Sequence, residues 1–183
     1  MKYYSMNYDM DRYERNGVMA YHGELYGVGQ YDVGMGKSIT NWDERITFEL
    51  KDGNEMADYI WNNLGWLIVS NKFKEAIAGA KMAGIQFLPV VINDINGESL
   101  KDYYVVNITN LVDAIDMDRS ECFKIMDDLY SFISVVLKKN EIEGFDIFRV
   151  MGNEISEFVS ENFVKIIKEN KLAGFAFREI KVI

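Results

Sequence analysis

The sequence predicts an α+β fold: mixed sheets carrying two repeated strand–helix–strand units. Three observations predict it. A nineteen-residue segment recurs with an offset of 90 residues. Apolar residues alternate with polar ones over several short stretches, as half-buried strands require. Apolar residues make up 49% of the chain and charged residues 27%, a balance that folds rather than staying disordered. The 183 residues suit a single domain over 1–183, with an N-terminal segment 1–41 and a repeat-containing core 42–183.

Segment 1–41 is rich in Tyr, Met and Gly and holds seven of the eleven tyrosines. It shows no clean period and reads as irregular chain with one short strand at most. Ile46, Phe48 and Leu50 then alternate with polar neighbours as a strand. Asp52-Gly53-Asn54 is turn chemistry. Met56, Tyr59, Ile60 and Leu64 fit a short helix that Gly65 would end.

The repeat follows. Val69–Phe87 aligns without a gap to Val159–Phe177, with eight of nineteen positions identical. Ser70 and Ser160 read as helix N-caps, whose hydroxyls accept an orphan backbone N–H. Phe73, Ala76, Ile77 and Ala80 form one apolar helix face, and Phe163, Ile166 and Ile167 the other. Gly84 and Gly174 mark the passage from helix to strand. Phe87–Ile92 reads as a strand in which Pro89, lacking a donor, requires an edge or a bulge. Tyr103–Ile108 and Ile147–Val150 are further strands. Ser120–Asn140 fits a helix by spacing, but the composition of Ser131–Leu137 favours a strand over 130–138.

Charge narrows the function. The net charge is −9. Residues 94–128 hold nine acids against three bases, two-thirds of the net charge in 35 residues. Such a surface repels phosphate backbones and suits a basic protein partner. The longest apolar run, near Phe132–Leu137, is far too short to span a membrane. The start of the chain lacks the apolar core of a signal peptide, and Cys122 is the only cysteine. Both features point to the cytoplasm.

The chemical motifs are weak. Tyr31–Ser38 approaches a phosphate-binding loop, but Tyr31 stands where the first glycine belongs, and a strand rather than a helix follows. Asp116-Met117-Asp118 opens like a calcium loop, yet Glu121 and Lys124 occupy positions that want Gly and a ligand; Asp118 and Glu121 read instead as a helix-capping pair. His22 is the only histidine, so a zinc site or a Ser-His-Asp triad has no partner set. These residues predict no enzyme, no cofactor and no metal.

Val69-Ser70, Phe87 with Pro89, Tyr104 with Asn107, Val112–Asp116 with Ser120, Ile147–Arg149 and Val159-Ser160 with Gly174 stand in a characteristic order. That order, over about residues 42–180, resembles a bacterial family first filed as a domain of unknown function. The family is grouped with the immunity proteins of polymorphic toxin systems, as the eleventh such group. Arg119 stands where the family usually has Lys. The resemblance implies a protein that binds and neutralises a cognate toxin by steric occlusion, with no catalytic residues to carry over. The alternative is an intracellular scaffold or assembly protein. For partner contact, the charge distribution nominates Asp113, Asp116, Asp118, Glu121, Asp127 and Asp128. The aromatic segment 1–41 competes with them, since Tyr is a favoured interface anchor.

Overall fold

The computed structural model describes residues 1–127 and 129–183. In chain order the elements are β1 (Tyr3–Tyr8), α1 (Met10–Tyr13), β2 (Met19–His22), β3 (Thr47–Lys51), β4 (Tyr59–Asn62), β5 (Ile68–Ser70), α2 (Asn71–Gly79), β6 (Ile85–Asn93), β7 (Ser99–Ile108) and β8 (Leu111–Val112). They continue with β9 (Glu121–Met126), β10 (Leu129–Ser134), β11 (Val136–Leu137), α3 (Lys139–Ile142), β12 (Ile147–Val150), β13 (Asn153–Ser160), α4 (Glu161–Glu169), β14 (Phe175–Glu179) and β15 (Lys181–Val182). Strand predominates and helix is sparse, so the α+β expectation holds in a form weighted towards β.

Two layers organise the chain. The strands β2-β3-β6-β7-β5-β4 close a barrel, and β14-β1-β13-β12-β8 form a five-stranded sheet beside it. A barrel this small is filled by its own side chains. Phe48, Ile60, Trp66, Ile68 and Ile92 fill it, and Val28, Val33 and Trp42 from the long 23–46 connection pack against them. A second core lies between barrel wall and sheet. There Val69, Val106 and Ile108 of the barrel face Met6, Ile147 and Val159 of the sheet, with Phe73 and Ile77 of α2 and Phe163 and Ile167 of α4 between them. A third core covers the far side of the sheet through Tyr3, Phe148, Phe158, Leu137 and Ile142.

The recurring segment appears as β5, α2, β6 and again as β13, α4, β14. Ser70 Oγ accepts from Phe73 N at 3.3 Å, and Ser160 Oγ from Phe163 N at 3.2 Å. Each hydroxyl also donates to an upstream carboxylate, Asp58 for Ser70 and Asp146 for Ser160. The helices stop earlier than the glycines imply. Lys81 (φ 55°) and Lys171 (φ 50°) take the left-handed position after each helix. After α4, Leu172 N donates to Ile167 O and Lys171 N to Lys168 O, the pair of bonds that closes a Schellman end. Gly84 (φ 79°) and Gly174 (φ 94°) come three residues later, where the chain turns into its strand. They are glycine for room as well: a Cβ on Gly84 would lie 1.9 Å from Asn110 Nδ2, and one on Gly174 2.7 Å from the Tyr59 carbonyl.

Two local expectations are corrected. Segment 56–64 is not a helix: Tyr59–Asn62 form strand β4, with loop before it and a turn after it. Tyr59 and Ile60 point to opposite faces, Tyr59 into the interlayer core and Ile60 into the barrel. A four-residue piece closing a barrel between β2 and β5 obeys its neighbours, because a lone helical turn is a costly nucleus. Segment 1–41 contains more order than its composition suggests. β1 lies inside the five-stranded sheet, paired with β13 and β14, and β2 lies in the barrel. In β1 Tyr4, Met6 and Tyr8 face the interlayer core, while Ser5 and the exposed Asn7 lie on the other face, where Tyr3 reaches the third core. Pro89 is placed as its missing donor demands: β3 pairs with β6 only over Val91–Asn93, and the Pro89 carbonyl accepts from Trp42 Nε1 at 2.8 Å. Segment 130–138 is mostly strand, as its composition favours, but in two pieces, β10 ending at Ser134 and β11 covering Val136–Leu137.

Candidate partner-binding surface

The acidic segment divides into a buried base and an exposed arm. Ala114 and Ile115 are buried in the third core, which anchors the base. Asp116 is 7% exposed. Its carboxylate accepts from Arg119 N at 3.1 Å and from Arg119 Nη1 at 2.8 Å. Burial pushes the Asp116 carboxyl up, but these bonds and the Arg119 charge outweigh it, so its pKa lies below the ordinary value. Ser120 N donates to Asp116 O, and Asp116 N donates to Val136 O. Ser120 Oγ accepts from Val136 N at 2.9 Å. Asp116, Arg119 and Ser120 therefore clamp the base against β11. The helix-capping expectation for Asp118 and Glu121 is corrected here, because β9 rather than a helix begins at Glu121.

From this clamp β9 and β10 project as a two-stranded antiparallel ribbon. In its register Phe132 opposes Cys122 and Ser131 opposes Phe123. Cys122, Phe132 and Tyr130 share one face by alternation, and Phe132 packs against the third core. Phe123 and Ile125 belong to the other face and are 56% and 55% exposed. Met126 and Ile133 are exposed as well. Asp113, Asp118, Glu121 and Asp127 are all exposed, and Asp128 lies outside the described residues. The arm's own cations are engaged, Lys124 with Asp127 at 3.4 Å and Arg119 with Asp116 at 2.8 Å. Among the described residues Asp113, Asp118 and Glu121 have no ion-pair partner. The surface is thus an apolar patch with unneutralised acids at its base.

Sequence reasoning found the acids but missed the exposed apolar side chains. Their only signal was a strand-like run with too many apolar residues on both faces, which reads equally well as core.

The other motifs resolve as structure. Residues 33–39, which overlap the near phosphate loop, are stitched to the barrel wall. Gly34 N donates to Asn107 Oδ1, Asn107 Nδ2 donates to the Lys37 carbonyl, and Gln86 exchanges two bonds with the Ile39 backbone. A Cβ on Gly34 would lie 2.6 Å from the Arg149 guanidinium carbon, so the loop backbone rests on that side chain. Arg149 and Glu157 form a buried ion pair at 2.7 Å. Burial pushes the Glu157 carboxyl up, with the Arg149 charge pulling the other way. Asn107 and Arg149, two residues of the ordered motif string, therefore hold the long connection in place. His22 ends barrel strand β2 and faces solvent, while Cys122 lies on the arm.

Segment 1–41 offers little of its aromatic content to a partner. Tyr3 and Tyr13 are buried, and Tyr4, Tyr8 and Tyr21 are partly so, leaving Tyr26 and Tyr31 exposed. No helix is long and apolar enough to cross a membrane among the described residues. The model of the immunity protein family Imm11 matches residues 2–182, which extends the resemblance across the N-terminal segment. No curated protein matches the chain.

Proposed function

The chain belongs to the Imm11 immunity protein family, and on that premise we propose that it binds a cognate bacterial toxin and neutralises it by steric occlusion through the β9–β10 arm. The arm carries this reading because Phe123, Ile125 and Ile133 are large, apolar and more than half exposed on a surface flanked by acids. Exposed apolar side chains gain most from a partner that excludes water, and a polar rim sets register. Asp113, Asp118, Glu121 and Asp127 steer a basic toxin during encounter. Asp116 contributes through the clamp, by holding the arm at its angle. The reading needs no cofactor, no catalytic residue, no nucleic acid and no membrane, and places the protein in the cytoplasm of the producing cell. A scaffold or assembly role would use the same surface.

Co-expression with the product of a neighbouring gene separates the readings. Growth should be rescued by the native protein and lost with Phe123→Asp plus Ile133→Asp. Charge reversal at Asp118, Glu121 and Asp127 should slow association by about tenfold at low salt and flatten its salt dependence. Full protection by both variants, with circular dichroism unchanged, would remove the arm as the contact. A neighbouring product that is harmless without this protein would leave the scaffold reading.

A further inference from the structure

A cavity of about 300 Å³ opens where barrel and sheet part company. Pairing of β1 with β13 ends at Met6 opposite Glu157, while β1 runs on beside β14 to Tyr8. The strands splay beyond that point, and β4 of the barrel closes the far wall with Tyr59 and Trp61. The floor is polar. Glu157 is 6% exposed and lines the cavity, and of its two oxygens Oε1 receives Arg149 Nη2. Tyr59 is 8% exposed and lines the same cavity. Burial raises the Tyr59 phenol far above its ordinary pKa and pushes Tyr8 up to about 12, so both hydroxyls stay neutral donors and acceptors. The walls are aromatic, with Tyr8 and Tyr59 edge to face at 5.5 Å. The rim is apolar and exposed, with Met10 at 49% and Ile155 at 84%.

We propose that this cavity receives one arginine side chain presented by a protein partner. A planar guanidinium stacks on aromatic faces and carries several donors, which a lysine ammonium on a flexible stem does not match. The donors reach the remaining Glu157 oxygen and the Tyr59 hydroxyl, both of which can accept a hydrogen bond. A carboxylate has acceptor sites for two guanidiniums, and Arg149 occupies only one of the two Glu157 oxygens. The exposed Met10 and Ile155 argue for a side chain on a polypeptide rather than a free small cation. An apolar ring around a polar anchor pocket excludes water only when a partner surface lies over it. The inference deepens the toxin-binding reading and rests on it for the identity of the partner, but its chemistry can be tested without a toxin.

The test follows the three tryptophan indole N–H signals by NMR while the intact protein is titrated with N-acetyl-arginine amide, N-acetyl-citrulline amide and free agmatine. One indole signal, assigned to Trp61 by its loss in Trp61→Phe, should shift saturably with the arginine probe. Citrulline, the uncharged isostere, should bind about tenfold more weakly. Tyr59→Phe keeps the ring and should weaken the arginine probe several-fold, and Glu157→Gln should weaken it further. Equal response to arginine and citrulline, or no saturable shift, would overturn the proposal. So would agmatine binding more tightly than the blocked arginine, which would make the site one for a free cation. If Glu157→Gln fails to fold, Tyr59→Phe decides. Arm variants that abolish toxin binding should leave the arginine probe untouched, so the two readings fail separately.

Discussion

At the scale of single residues, the most consequential interaction is Arg149 with Glu157. Both side chains are below a tenth exposed, and Arg149 also donates to the Glu154 carbonyl. Among the described residues Arg149 Nε is buried with no hydrogen-bond partner. Such a pair is weak evidence of net stabilisation, but breaking it strands a buried charge. Arg149→Met should therefore cost about 3–5 kcal/mol in denaturant unfolding. Arg149→Met with Glu157→Leu should recover most of that, to within about 2 kcal/mol of the native protein. Equal losses in the single and double variants would show that the stabilising role of Arg149 lies in packing beneath Gly34 rather than in charge.

At the scale of elements, the two helices α2 and α4 meet through one aromatic cluster. The Phe73 and Phe163 rings lie 6.1 Å apart, and Phe73 stacks on Phe175 at 5.4 Å. Both phenylalanines are fully buried. Phe73→Ala and Phe163→Ala should each cost about 3–5 kcal/mol. Because they share one cavity, the double variant should cost less than the sum by about 1 kcal/mol or more. Strict additivity, measured by chemical denaturation, would mean the helices pack independently. The arm behaves oppositely. Its outward side chains support nothing in the fold, so Phe123→Ser should change stability by no more than about 0.5 kcal/mol.

At the scale of the molecule, β1 ties the ends of the chain together, with β13 on one side and β14 on the other. The interlayer core then joins that sheet to the barrel. A chain so connected should unfold as one cooperative unit. Deleting residues 1–9 should abolish the native near-ultraviolet circular dichroism of the whole protein, barrel aromatics included. A truncated chain that keeps a separate barrel transition would divide the molecule in two. Much of this plan was legible beforehand. The N-caps Ser70 and Ser160, the strands around Phe48, Val106 and Phe148, and the restricted place of Pro89 follow from local chemistry, because a hydroxyl cap, a period of two and a missing N–H act within a few residues. The clustering of acids in 94–128 and the family resemblance were equally local. Other features needed the third dimension. β4 is a strand because the barrel must close. β1 lies in the middle of its sheet because β13 and β14, far along the chain, pair with its two edges. Asp116 is buried because Arg119 and Val136 close around it. The exposed face of Phe123 and Ile125 left only an ambiguous apolar run, and the cavity above Glu157 no local signature, since an apolar residue looks the same in sequence whether its neighbour is a core or a partner. Sequence alone determined which residues can cap, turn and alternate; only the packing of barrel against sheet decided which faces were left uncovered, because burial belongs to pairs of elements and not to either one.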